Sequence, residues 1–267
     1  PTLLDTLGSA LEQEQSQWPQ AWVLELSSFQ LDQVDNFEPT AATVLNLTQD
    51  HLDWHGDMAA YAKAKAGIFG RQASIVLNRD DSNVMAMLPA PVAKTKGSKQ
   101  PPREVMRFGA DMPTQHGDWG LETVNGMTWL VRALNVDETR KSRASAETEI
   151  YIQRLLPVDA LRIRGRHNAL NAMAALALAS STGAPLASML YALREYRGEP
   201  HRVASIAVLQ DIEYIDDSKG TNVGATVAAI NSVGADRRIV LILGGDGKDQ
   251  DFSSLRVPIQ QFVRSLV

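Results

Sequence analysis

AATVLNLTQDHLDWHGDMAAYAKAKAGIFGRQASIVLN, residues 41–78, decides the fold class. Two short apolar runs, AATVLNL at 41–47 and ASIVLN at 73–78, flank a segment from about Asp57 to Phe69 whose apolar residues recur at helical spacing. Strand, helix, strand in that order is the βαβ unit, and apolar runs without alternation suit parallel strands covered on both faces. Working upstream, WVLELS at 22–27 reads as another strand, preceded by an amphipathic helical segment at 1–15. The chain is therefore expected to be an α/β protein built on a largely parallel sheet.

Downstream of 78 the texture changes. PAPVAKTKGSKQPPRE at 89–104 reads as a loop, and the polar insertion at 136–148 separates the strand candidates MTWLVRAL and EIYIQRL, which suggests antiparallel structure added to the sheet. Helical patterns return in HNALNAMAALALASSTG (167–183) and PLASMLYALREY (185–196), with Gly183 and Pro185 as a stop signal between them. A second α/β unit starts after the linker Gly198–Pro200. It reads as strands VASIAVL and IEYID, a helix from Thr221 to Gly234, strand RRIVLILGG and a helix SSLRVPIQQFV disturbed by Pro258. Two domains are expected, 1–197 and 198–267; the second is short for a doubly wound domain and stops in a helical pattern, so truncation is expected there.

At roughly 150 residues per domain, 267 residues can bury one large core and a smaller one. With 44% hydrophobic and 21% charged residues, disorder and coiled coil are excluded. A net charge of −5 argues against a broad nucleic-acid or anionic-lipid footprint, and the absence of cysteine removes disulfides, zinc thiolates and thiol nucleophiles together. No apolar stretch approaches a membrane span, and PTLLDTLGSALEQEQ lacks the basic start of a signal peptide, so a cytoplasmic protein without membrane insertion is expected.

Ligands of open α/β sheets sit beyond the carboxyl ends of the strands, and four places there carry chemistry. Glu25 is an acid inside the apolar run WVLELS; if buried it needs a metal or a partner lysine. In NLTQDHLD a strand runs into Asp50, His51 and Asp53, a donor set that suits magnesium or manganese, or equally a turn cluster. On a helix from Asp57, Lys65 falls in the middle of the stripe Met58, Tyr61, Ala62 and Phe69, while Lys63 points away. Such a lysine snorkels to solvent or finds a carboxylate, or else has its amine pKa depressed enough to react with carbon dioxide. In the second unit, PHR (200–202), IDDSKGTN (215–222) and LGGDGKDQDF (243–252) place acids, lysines and glycines around a helix start, an anion-binding arrangement. GGDGK lacks the GxxxxGK[ST] form of a phosphate loop.

In this order LELSSFQL, DHLD, YAKAKAGIF, GRHNALNAMAALA, GEPHR, DDSKGTN and LGGDGKDQDF resemble the Mur ligase family over nearly all of the chain. The resemblance implies a central Mur-ligase ATPase-type sheet domain, truncated at its N-terminus, plus a partial Rossmann-like C-terminal domain. The UDP-sugar domain and the Gly-rich phosphate loop would lie upstream of Pro1, so the chain alone is expected to be inactive. The implied reaction is ATP-dependent amide formation: a carboxylate attacks the γ-phosphate to give an acyl phosphate and ADP, and an amine then displaces phosphate. Within the family LELSSFQL implies UDP-N-acetylmuramoyl-L-alanine and D-glutamate as substrates, in peptidoglycan precursor synthesis. Another family amide ligase, such as one extending folate, is the nearer alternative, and a noncatalytic nucleotide-fold module the farther one.

Carried over by position, Glu25 and His51 match ligands of magnesium, of which two ions are implied. Lys65 matches a lysine whose carbamate is a further ligand. Asn168 and Asn171 match residues near adenine, and His201, Arg202 and Asp217 match contacts to ATP ribose or phosphate. Lys219 would approach the phosphate being transferred, and Thr221 and Lys248 would hold the α-carboxylate of D-glutamate. Gly220 stands where alanine is expected, and the 136–148 insertion is longer than the family pattern. A monomer is expected.

Overall fold

The computed structural model describes residues 3–89, 103–136, 149–234, 238–247 and 249–267. The insertion expected at 136–148, apart from Val136, and most of the 89–104 loop lie outside them. Helix α1 (Leu3–Leu11) is followed by α2 (Ser28–Asp32), strand β1 (Ala41–Val44), α3 (Leu52–His55), α4 (Met58–Ala66), β2 (Ser74–Asn78) and α5 (Ser82–Met85). Strands β3 (Val105–Phe108), β4 (Trp119–Val124), β5 (Met127–Asn135) and β6 (Ile150–Pro157) complete a six-stranded sheet in the order β1 to β6. β1 to β4 run parallel, and β5 is antiparallel to both its neighbours, β4 and β6. This is the mixed sheet expected from the sequence, with β3 and β4 as strands that the apolar pattern did not mark.

The βαβ reading of 41–78 holds. In β2, Ile75 and Leu77 point into one apolar cluster with Ala42, Val44, Tyr61 and Phe69, while Val76 points into another, and all three are essentially inaccessible to solvent. Side chains alternate across a strand, so a strand covered on both faces needs apolar residues at every position. The second cluster is closed by α6 (Arg166–Ser180), which lies against β1 to β4. Ala169, Ala172, Ala174 and Ala177 on its buried side let the backbone come close to the sheet, with Met173 and Leu176 filling the space between. Helix α7 (Leu186–Glu195) follows α6 after Gly183, whose φ of 77° is the left-handed turn a glycine supplies.

After 200 the elements are smaller. β7 (Ala204–Leu209) and β8 (Ile212–Asp216) form an antiparallel hairpin, turned at Gln210 and Asp211 with both φ values positive, as a tight two-residue turn requires. Helix α8 (Val223–Val233) starts two residues later than expected: Asn222, not Thr221, is its cap, with the side chain accepting from the Ala225 N–H. β9 (Ile239–Leu241), α9 (Arg256–Phe262) and β10 (Val263–Leu266) follow, β10 pairing parallel to β9. Pro258 sits in the first turn of α9, where no intrahelical N–H is lost, so it does not break the helix. The helical reading of the last residues is corrected: from Val263 the chain is a strand, because Val263, Ser265 and Leu266 find a ladder on β9.

A second correction concerns WVLELS. Residues 22–27 are extended but belong to no sheet, and Val23 is 95% exposed. A half-open cavity of about 370 Å³ is lined both by Leu24, Glu25 and Leu26 of this segment and by Thr43 to Asn46 at the end of β1. Apolar content made the segment strand-like, but a strand needs a partner within hydrogen-bonding distance, and this segment has no ladder.

Candidate functional site

Two groups of side chains gather the residues singled out from the sequence. The first surrounds the exit of β1. Asn78 at the end of β2 donates its amide to the Leu45 carbonyl at 2.8 Å, and Asp81, the cap of α5, accepts the Leu47 N–H at 2.8 Å. These bonds fix the path that carries the chain to Asp50 and His51. His51 caps α3 in the left-handed region, φ 55°, an uncommon conformation for a residue with a Cβ. Its N–H donates to the Asp50 carboxylate at 3.0 Å, and its ring lies 4.7 Å from Phe29 and 6.4 Å from Tyr61, centre to centre.

Asp57 caps α4 by accepting the Ala60 N–H, and the helix presents Tyr61 and Lys65 one turn apart. Lys63 is exposed and Lys65 half-buried, as the stripe predicts. Burial holds the Lys65 amine below the ordinary lysine range, against the opposing pull of Asp50 and Glu25. Tyr61 is pushed up to about 12 by burial and by the charge of Asp50. Glu25 and Lys65 line the same cavity, together with Thr43, whose Oγ1 is buried without a hydrogen-bond partner. Neither His51 nor Tyr61 is among the residues lining that cavity; His51 meets Tyr61, over whose ring Lys65 lies. Glu25 itself is exposed, which corrects the expectation of a carboxylate buried in a strand; the segment's missing ladder is the reason.

The second group lies around the start of α6 and the end of β8. Asn168 donates to the Arg164 carbonyl at 2.7 Å, and Asn171 donates to Asn168 Oδ1 at 3.4 Å. His167 beside them is kept below the usual histidine range by burial, with Asp217 opposing the shift. Asp217 accepts the Val203 N–H at 3.0 Å; burial raises its carboxyl, while that hydrogen bond, Arg202 and His167 act the other way. Asp217 thus acts electrostatically on His167 in the first turn of α6, and Arg202 on Asp217. His201, at φ 65°, pairs through Nδ1 with Asp216 at 2.6 Å, and the Lys219 N–H donates to the His201 carbonyl. Gln250 reaches back to accept the Val223 N–H, which brings the segment after Gly247 to the start of α8 beside Thr221. Lys248 lies outside the described residues. At Gly220 an added Cβ would meet the Asp217 Oδ2 at 2.7 Å, so the departure at this position leaves room for that carboxylate.

Phe29, His55, Tyr61, His167 and Asp216 are contacts that pattern reading did not assign. The nearness in sequence of His55 and Tyr61 to His51 was the available signal for two of them; Asp216 looked no different from Asp217. Among the described residues no group of three His, Asp or Glu side chains could hold a metal. Glu25 lines the cavity with Lys65 and offers there a carboxylate oxygen, the donor type of which magnesium takes one or two from protein.

A mostly parallel sheet backed by an alanine-rich helix, with acids and a half-buried lysine gathered beyond β1, places the chain in the α/β class. The chain belongs to the Mur ligase family: the model of the Mur ligase middle domain matches residues 5–179. It is similar to the UDP-N-acetylmuramoylalanine–D-glutamate ligase of Polaromonas sp. strain JS666, 62% identical over 269 residues that include all of this chain and 45% of that protein. The protein of the same name from Albidiferax ferrireducens is 58% identical, covering all of this chain and 52% of its own length. The chain spans about half the length of the curated relatives it matches. Among solved structures, MurF from Acinetobacter baumannii shares the fold with a TM-score of 0.56 at 18% identity, over 90% of this chain and 52% of that one.

Proposed function

We propose that this chain is the ATP- and metal-handling part of a ligase that joins D-glutamate to UDP-N-acetylmuramoyl-L-alanine through an acyl phosphate, a cytoplasmic step of peptidoglycan precursor synthesis. The observation that carries this reading is the 62% and 58% identity, over the whole chain, to proteins named for that ligation. We take residues 1–197 as the ATP-binding domain and 198–267 as part of the amino-acid-binding one, acting as a monomer.

In this reading Glu25, His51 and carbamylated Lys65 hold magnesium, which when bound neutralises phosphate charge as the γ-phosphoryl group moves. Burial of Lys65 favours its neutral amine, the form that adds carbon dioxide, and the carbamate turns a repelling cation into an oxygen ligand. Asn168 and Asn171 face adenine; His201, Arg202 and Asp217 hold ribose and phosphates. Lys219 neutralises charge on the phosphoryl group in transfer. Thr221 and Lys248 orient the α-carboxylate of D-glutamate so that its amine meets the activated carbonyl.

The test is ADP release by the full-length protein containing this chain. Release that requires both UDP-N-acetylmuramoyl-L-alanine and D-glutamate is expected. Equal release with another amino acid in place of D-glutamate would overturn the substrate assignment. Carbamylation is checked by ¹³C NMR in labelled bicarbonate: a carbamate signal present in the wild type should vanish in Lys65→Ala.

A further inference from the structure

Three separate segments carry Glu25, His51 and Lys65, and one side chain touches all three. His55, the last residue of α3, shares a hydrogen bond at 3.0 Å between its Nε2 and Ser28 Oγ, three residues after Glu25. Ser28 is only 3% exposed and begins α2, whose capping box at Ser27 and Gln30 makes the end of the Glu25 segment rigid. The His55 ring stacks on Phe29 at 5.9 Å and 17°, and Phe29 in turn packs on His51. The His55 ring also lies 5.4 Å from the Tyr61 ring, tilted by 40°, and Lys65 sits over Tyr61. The Glu25 segment has no sheet ladder to hold it, so side-chain contacts must set its distance from α3 and α4.

We propose that His55 is a positioning residue: through Ser28 and Phe29 it sets the spacing of the Glu25 carboxylate from His51 and Lys65, and so the affinity of the site for a divalent cation. The inference rests on the reading of Glu25, His51 and Lys65 as metal donors. Residues that orient metal ligands commonly change affinity roughly ten- to hundredfold when removed. The hydrogen bond supplies direction and the ring supplies a plane against which α2 and α4 both rest.

The test is Mn²⁺ binding to the full-length protein containing this chain in bicarbonate buffer, followed by the paramagnetic signal of free Mn²⁺. Wild type, Glu25→Gln, Ser28→Ala, His55→Phe and the Ser28→Ala/His55→Phe pair are compared. His55→Phe keeps a ring between Phe29 and Tyr61, and Ser28→Ala removes one oxygen, so far-UV circular dichroism should match the wild type. Each single change is expected to weaken Mn²⁺ binding roughly tenfold, and the pair no further than either alone, since both lose one shared bond. Unchanged affinity in Ser28→Ala, while Glu25→Gln loses binding, overturns the positioning role by itself. So do losses that multiply in the pair. Should His55→Phe not fold, Ser28→Ala alone decides. Wild-type binding retained in Glu25→Gln brings down the metal reading and this inference with it.

Discussion

Lys65 Nζ stands 5.4 Å from the centre of the Tyr61 ring, one turn back along α4, on the side of the helix that faces the sheet. The ring's negative face offsets some of the cost of holding an ammonium there, but burial outweighs it together with the pull of Asp50 and Glu25, since the amine remains depressed. Stability is therefore reduced at any pH where Lys65 is charged.

The expected consequence is that Lys65→Met raises the melting temperature at pH 7 in bicarbonate-free buffer by roughly 2–4 °C, the effect of about 1 kcal/mol on a chain of this size. The sign follows from linkage: the folded pKa is lowered from the ordinary 10.5, so the penalty is full below the folded value and fades as pH rises toward 10.5. The gain over wild type should shrink across that alkaline window. Thermal scans at pH 7 and above pH 10 check it, and a Lys65→Met variant that melts lower at pH 7 would show the charge to be net stabilising.

Asp216 should behave in the opposite sense. Its carboxyl is held at about 2 by the Ser218 N–H and by His201, below the ordinary 3.8, so the stability it contributes is present above pH 3.8 and lost as pH falls through 2. Asp216→Asn should therefore lower the melting temperature at pH 5–6 and approach the wild type toward pH 2. NMR titration of the Asp216 carboxyl gives a direct reading; a midpoint at the ordinary value would contradict the pairing with His201.

Gly165, immediately before α6, has φ 97° and ψ 151°, a region open almost only to glycine, and a Cβ there would overlap Ser232 Oγ and lie 2.8 Å from Ser232 Cβ. Gly165→Ala is expected to cost about 2–5 kcal/mol from backbone strain and overpacking together. Adding Ser232→Gly should recover only the packing part. Denaturant unfolding of the two variants separates the terms, and full recovery in the pair would mean that the backbone carries no strain.

On the proposed function, Thr221→Ala and Lys248→Ala in the full-length protein each remove a charge-assisted contact to D-glutamate. A loss of about 1.5–3 kcal/mol corresponds to roughly one to two decades in the KM for D-glutamate. The KM for ATP should stay nearly constant. Steady-state kinetics with each substrate varied in turn distinguish this from an effect on nucleotide binding.

Much of the fold could be read from local pattern because the pattern is enforced locally. β1, β2 and the helix between them follow from period and length, and the caps Asp57, Asp81 and Asn222 are side chains that hydrogen-bond N–H groups within three residues. The strands β3 and β4 escaped notice. β3 has alternating burial and only four residues, and β4 carries Gly120 and Glu122, which an apolar scan passes over. The site residues were legible as chemical types at strand ends, whereas the contacts of Phe29 with His51 and Trp54, of His55 with Ser28 and of Asp216 with His201 are concealed by chain separation.

The sequence by itself determined the α/β class, the longer helices and most strands, the apolar stripe on which Lys65 lies and the acids beyond the strand ends, but not the short helices α2, α3 and α5. Each of these depends on residue type and on periods of two or 3.6 residues. Only the tertiary structure decided whether an apolar run became a strand. Residues 22–27 belong to no sheet and leave Glu25 exposed, while 263–266 pair because β9 is beside them. It also decided that His55 reaches Ser28 and that Asp217 acts on His167 in the first turn of α6. Ladders and side-chain contacts between distant residues require two surfaces to meet, and no window of sequence contains both.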